Sequence, residues 1–447
     1  MEVKDATARY RLLSNGEERQ HTEIGPLPID WEVRRLNELA SIRTGIAKNG
    51  GAAIDNPVLV HYLRVANVQD GYLDLSEMRQ LKVRAEDVKR YAVLPGDMLM
   101  NEGGDLDKLG RGALWNGAFD PCVHQNHVFV VRCGSRLLPE LLSAWTRSVQ
   151  ARRFFMLAGR QTTNLASINK TSLGQFPVPL PPTKGEQQSI AEALSDADAL
   201  IEFLSLLLVK KRQIKQGVMQ ELLTGKKRLP GFVGSWGSAT IGSFTDCTAG
   251  GTPSTQIETY WGGDIPWMSS GELHLKHVKD VEGRITDEGL RNSSTKWIPA
   301  GCVLIGLAGQ GKTRGTVAMN HVPLCTNQSI AAIFPVDSYD SLFLYFNLES
   351  RYDELRELSA GDGGRGGLNL SLIRNLAVPM PCLLEQREIA RVLADIDSDV
   401  ASIEEKLAKA RDIKLGMMQE LLAGRIRLVQ PASDVIPAPT KAASASQ

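Results

Sequence analysis

The sequence predicts an α+β fold in which two strand-rich globular units alternate with two long helices. Three observations predict it. A segment beginning at Glu186 recurs at Glu385 without a gap, and about twenty of its 43 positions are identical, far above chance. Both copies carry apolar residues at alternating spacings of four and three. The regions before them also repeat, more faintly, in short β-branched runs separated by glycine-rich loops.

In the first helical copy the apolar row is Ile190, Leu194, Ala197, Ile201, Leu204, Leu208, then Val218 and Leu222. In the second it is Ile389, Leu393, Ile396, Val400, Ile403, Leu407, Ala410, then Met417 and Leu421. A row of this kind buries a helix against another helix, and two matched rows favour mutual pairing over burial in separate domains. Lys215 and Lys414 interrupt the two rows at matching places. Each helix follows a proline-rich run that cannot be helical, 176–182 and 378–381, and ends near a glycine, Gly225 or Gly424. A helix of about 39 residues rises roughly 58 Å, which suits a spacer.

The globular regions match at several short stretches. Trp31 and Leu36 correspond to Trp236 and Ile241. Pro95-Gly96-Asp97-Met98-Leu99 resembles the run from Pro299 to Leu304. Gly110-Arg111-Gly112 matches Thr313-Arg314-Gly315, and Cys122-x-x-Gln125 matches Cys325-x-x-Gln328.

Lys plus Arg equals Asp plus Glu at 51 each, so overall charge does not point to nucleic acid. A local basic cluster runs through Lys210, Lys211, Arg212, Lys215, Lys226, Lys227 and Arg228; on charge alone a solvated helix face explains it better than a DNA contact. Six cysteines are scattered with no Cys-x-x-Cys pair, which argues against a zinc ribbon or a disulfide framework and fits a reducing cytoplasm. The N-terminal residues are polar and unlike a signal peptide, and the apolar stretch at 200–209 is too short to span a bilayer.

Proline-rich run, Glu-Gln, long helix and a Met-Gln-Glu-Leu-Leu-x-Gly ending, all occurring twice after dissimilar globular regions, resemble the specificity subunit of Type I restriction-modification enzymes. The resemblance covers the chain except its tail. It implies target-recognition domains at 22–185 and 229–384 and helical spacers at 186–228 and 385–427; residues 1–21 are left as an N-terminal extension, and 428–447, rich in Ala, Ser and Pro, read as a disordered tail. It implies that the helices pair as an antiparallel coiled coil through Ile190, Leu194, Ile201, Leu204, Leu208 and Leu222 on one side and Ile389, Leu393, Val400, Ile403, Leu407 and Leu421 on the other. Each recognition domain would read one half of a split, asymmetric site on double-stranded DNA. The helices would set the unread spacer and dock two methyltransferase subunits, which a restriction and translocation subunit can join. The chain itself would be cytoplasmic, away from membranes, non-catalytic and free of cofactor and metal. S-adenosylmethionine and ATP would belong to the partners.

Two motifs point elsewhere. Residues 306–313 satisfy the G-x-x-x-x-G-K-[ST] phosphate-loop pattern, which would suggest an ATPase. Such a loop binds phosphate only when it opens into a helix, and Arg314-Gly315-Thr316-Val317 reads as loop then strand. His124 and His127 beside Cys122 lack further ligands at metal-binding spacing. A coiled-coil scaffold that binds only protein remains a third reading.

Base reading needs directional donors and acceptors on loops that reach a groove. In the first unit the loops offer Arg43, Thr44, Arg111, Arg160, Gln161 and Asn164. In the second they offer Thr252, Ser254, Gln310, Lys312, Arg314 and Arg365. Arg160→Ala or Arg365→Ala is expected to weaken specific binding by about 1–3 kcal/mol where that arginine reads a guanine. Methylation of the cognate site checks this, and a variant that methylates normally removes its residue from the set.

Overall fold

Both proline-rich runs form strands of two-stranded ribbons, where a missing amide is tolerated because each ribbon has free edges. Glu32–Arg35 pairs antiparallel with Pro177–Leu180, and Gly237–Thr240 pairs with Ala377–Met380. These ribbons close each globular head and deliver the chain into a long helix. The computed structural model describes residues 10–12, 19–47, 54–161, 166–309, 311, 313–358 and 367–428. The long helices are Lys184–Leu222 and Leu383–Leu421, 39 residues each. No helix among the described residues is long and apolar enough to cross a membrane.

The two long helices pack together. Contacts divide the chain into a unit of Met1–Phe203 with Leu407–Gln447 and a unit of Leu204–Lys406, so each helix contributes to both. In the first unit Ile190 and Leu194, near the start of one helix, share a core with Leu421 and Leu422 at the end of the other. In the second unit Met219, Leu222 and Leu223 share a core with Ile389, Ala390 and Leu393. Start meets end in both cores, so the helices run antiparallel. Leu204, Leu208, Ile403 and Leu407 are buried, while Ile201 and Val400 are half-buried.

The two heads are built on one plan. In the first, an antiparallel sheet has the order Gly112–Leu114, Met98–Asn101, Val128–Cys133, Ala40–Thr44. In the second, the corresponding order is Val317–Asn320, Val303–Gly306, Ile330–Ile333, Cys247–Ala249, with His277–Val278 added beside Val317–Asn320. The two middle strands of each sheet are buried along nearly their whole length, as strands covered on both faces are. A smaller sheet flanks each. Val58–Leu63 runs parallel to Cys122–His124, and the end of Trp261–Met268 runs parallel to Leu324–Thr326.

The Glu-Gln pair that opens each helix is explained by its contacts. Gln187 accepts from the Leu138 amide at 3.0 Å and Gln386 from the Asp340 amide at 2.8 Å, each tying the head to the first helical turn. Glu385, with a side chain 1% exposed, is clamped by Arg228 at 2.6 and 2.7 Å. Glu186 is clamped by Arg427, which also pairs with Asp30. Each arginine lies over a tryptophan, Arg228 over Trp236 and Arg427 over Trp31. Gly225 and Gly424 have φ of +68° and +60°; a side chain at either would press on Trp236 or on Pro28 and Trp31. The segment after the second helix, Ile426–Leu428, pairs with Tyr10–Leu12, so Leu428 is a strand residue rather than part of a tail. The remainder of the expected tail lies outside the described residues.

Glu385→Ala strips a buried carboxylate from Arg228 and is expected to lower the unfolding free energy by about 3 kcal/mol. The denaturant midpoint of the full chain reads this directly, and an unchanged midpoint would show that the clamp is not stabilising.

Candidate nucleic-acid interface

Backbone hydrogen bonds gather three loops at one end of the first head's sheet. Ile46, just past the strand Ala40–Thr44, donates to His124 O at 2.8 Å and accepts from Asn126 at 3.0 Å. Gly45 permits that approach, because a Cβ there would stand 2.1 Å from His124 O. Glu102 donates to His127 O at 3.0 Å, and its carboxylate meets His127 Nδ1 at 2.7 Å. Gly103–Gly104 pairs with Ala166–Ser167, which pairs in turn with Arg160–Gln161. The loops after residues 44, 101 and 159 therefore share one edge.

The second head repeats this arrangement. Gly251 donates to Thr326 O at 2.8 Å, and a Cβ on Gly250 would stand 2.0 Å from that same oxygen. Leu307 donates to Ser329 O and accepts from Leu368, so the segments at Gly250–Gly251, Leu307 and Leu368 are tied to the turn 326–330 or to each other. Thr252 Oγ1 donates to Gln328 Oε1 at 2.5 Å.

These bonds also correct the alignment read from sequence. The Gly45–His124 contact is repeated by Gly250–Thr326, so Cys325 occupies the place of Val123, not of Cys122. The Asn101 amide donates to Arg111 O, and the Gly306 amide donates to Thr316 O. Gly110 and Gly315, with φ of +73° and +78°, are therefore equivalent, and Arg111 matches Thr316 rather than Arg314. Short glycine-rich matches carry too little information to fix a register that the sheet hydrogen bonds fix exclusively.

The expected DNA-reading residues fall into distinct settings. Thr44 and Arg160 are exposed at the gathered edge of the first head. Gln161 lies in the same short strand as Arg160, opposite Ala166. Arg43 sits on the strand itself rather than a loop, half-buried, with its guanidinium 3.9 Å from Asp97. Arg111 is half-buried, and its Nε has no hydrogen-bond partner among the described residues. In the second head Ser254 is exposed, with its carbonyl accepting from Trp261 Nε1 at 3.1 Å, and Thr252 is half-buried. Arg314 is half-buried in the turn before Val317. Asn164, Gln310, Lys312 and Arg365 lie outside the described residues. Asn126, His127 and Gln328 share the gathered edges and were not among the expected residues. Their signal in the sequence is the repeated Cys-x-x-Gln stretch, which Asn126 and His127 directly follow and Gln328 ends.

The two competing motifs resolve in structural terms. Gly306 donates to Thr316 O and accepts from Gly315, so the strand Val303–Gly306 is bonded directly to the segment that leads into its antiparallel partner Val317–Asn320. That geometry lacks the helix N-terminus on which a nucleotide phosphate would sit. His124 is buried with Nδ1 2.7 Å from Val128 O, and burial pushes its pKa down to about 4, so it is a neutral part of the core. Among the described residues no three His, Cys, Asp or Glu side chains are gathered as metal ligands.

Comparison with known proteins gives the same architecture. The family profile described as "Type I restriction modification DNA specificity domain" matches residues 149–210 and 234–411. The chain is 24% identical over 423 residues to the MjaX type I restriction enzyme specificity subunit of Methanocaldococcus jannaschii, covering 91% of this chain and 96% of that one. It is 29% identical over 259 residues to the EcoR124I/EcoR124II specificity subunit of Escherichia coli, covering 56% of this chain and 62% of that one. The crystal structure of the type I S subunit from M. genitalium superposes with a TM-score of 0.58 at 15% identity, over 88% of this chain and 96% of that one. With more than half its length matched by the family profile, the chain belongs to the Type I restriction-modification DNA specificity family, and is a non-catalytic specificity subunit.

Proposed function

We propose that each head reads one half of a bipartite, asymmetric DNA site, and that the paired helices hold the two readings at a fixed spacing. The observation that carries this reading is one plan used twice with different loops. Both heads bring loop segments to the same edge through the equivalent Gly45 and Gly250, yet the side chains offered there differ between them. Thr44, Arg111 and Arg160, with Gln161 and Asn164, are assigned to one half-site. Thr252, Ser254 and Arg314, with Gln310, Lys312 and Arg365, are assigned to the other. Arg43 supports the strand end instead of touching a base. Arg and Gln are suited to bidentate contacts with guanine and adenine, and the glycines let backbone amides approach phosphates.

The helices are assigned a second task, docking two methyltransferase subunits, which in turn can be joined by a restriction and translocation subunit. Apolar side chains left in solvent support this. Leu200 and Phe203 are 50% and 61% exposed in the first unit, and Leu206 and Val209 are 65% and 53% exposed in the second. Exposed apolar side chains on a helix are usual at protein contacts. Adenine methylation, and use of S-adenosylmethionine and ATP, are assigned to those partners.

Methylome sequencing of host DNA with and without this chain tests the reading. The expected result is a methylated motif of two short specified halves around an unspecified spacer of constant length, present only with the chain. Replacing residues 22–185 by those of another member is expected to change one half and leave the other and the spacer unchanged. A contiguous motif, or both halves changing together, would overturn the assignment.

A further inference from the structure

The paired helices cross with the same two charges in each unit. In the first unit Asp198 of the first helix takes Lys414 of the second. In the second unit Lys215 of the first helix meets Asp397 of the second at 2.6 Å. Asp198 and Asp397 are equivalent in the helical repeat, and so are Lys215 and Lys414. The lysines that interrupt the apolar rows are thus half of a repeated, mostly buried Asp–Lys pair, with side chains of Lys215 and Lys414 only 12% and 17% exposed.

Each head adds one charge, and the signs are opposite. Arg147 Nη1 lies 2.9 Å from Asp198 Oδ2, whereas Glu349 Oε2 lies 2.9 Å from Lys215 Nζ. Arg147 and Glu349 hold the same place in the two heads, one at the end of the helix that follows Leu138 and the other at the end of the helix that follows Asp340. A neighbouring turn differs in step. Arg64 and Ser269 open equivalent turns, capped by Asn67 and Glu272, and these lead to Gly71 and Lys276, both with left-handed φ of +87° and +58°. A Cβ on Gly71 would come within 2.9 Å of Arg147 Nη1. Lys276 instead places its amine 2.7 Å from Glu349, in a backbone conformation that residues with side chains seldom adopt. Burial alone would push Glu349 up and Lys215 down, and the surrounding opposite charges reverse both.

We propose that the Asp–Lys crossing is a two-signed socket that seats each head on the helices, and that it accepts either an arginine or a glutamate key. The sign it takes is set by the turn residue beside the key, Gly71 for Arg147 and Lys276 for Glu349. Arg147 and Glu349 are then positioning residues for DNA reading, a role that rests on the function proposed above.

The test uses the full chain assembled with its methyltransferase subunits, with methylation rate followed against concentration of a duplex carrying both half-sites. Glu349→Arg alone faces both Lys276 and Lys215 and is expected to lower kcat/KM about tenfold, mainly through KM. Adding Lys276→Gly frees the new arginine to pair with Asp397, as Arg147 pairs with Asp198, and is expected to restore kcat/KM to within about threefold of wild type. A double variant no better than Glu349→Arg, or a Glu349→Arg variant equal to wild type, overturns the socket. If the wild-type assembly methylates no bipartite duplex, the functional reading fails instead. The denaturant midpoints of the same chains then decide the socket alone: loss in the single variant and recovery in the double support it, and any other pattern overturns it.

Discussion

Everything in the fold depends on how the first turn of each long helix is held. A buried glutamate there, Glu186 or Glu385, is clamped by an arginine from the segment that follows the other helix, Arg427 or Arg228. The clamp is satisfied only when the start of one helix lies beside the end of the other. Antiparallel pairing is therefore enforced by charge as well as by the apolar row. A buried carboxylate left without its guanidinium would cost several kcal/mol, far more than a misplaced apolar contact on a helix surface. The glutamine after each glutamate fastens the head to the same turn, so head and helix end are fixed by adjacent residues.

The same arrangement ties the segment after the second helix to the segments before the first head's sheet. Arg427 reaches Asp30 and stacks on Trp31, and Ile426–Leu428 adds a strand to Tyr10–Leu12. Arg228 and Trp236 make the equivalent join within the second unit. A duplicated chain closed in this way gives both heads matching attachments. The loop segments on each head's edge can then differ without disturbing the frame.

The helices were legible in the sequence because their signals are redundant. Proline before, glycine after, and an apolar row broken only around Lys215 or Lys414 all agree, and the observed lengths follow. The meaning of Lys215 and Lys414 was not legible, since a lone lysine in an apolar row shows neither the aspartate opposite nor the charge its head supplies. The heads were legible as strand-rich but not in register. Gly110-Arg111-Gly112 and Thr313-Arg314-Gly315 look alike, yet Gly110 is the counterpart of Gly315, because left-handed backbone before the strand, rather than neighbouring residue identity, is what is repeated. Among the interface residues, exposed Ser254 lies in a loop, whereas Arg43 and Thr44 belong to the strand Ala40–Thr44 and Arg160 and Gln161 to the short strand Arg160–Gln161, so the strands reach further than the glycines beside them suggest.

The central claim is that paired helices act as a ruler between two independent readers. Inserting one heptad at matched positions in both helices lengthens the ruler by about 10 Å, or roughly three base pairs of duplex. The methylated motif of that variant tests the claim most directly. The account predicts unchanged half-sites around a spacer longer by about that amount. An unchanged spacer with methylation intact, or altered half-sites, would contradict it.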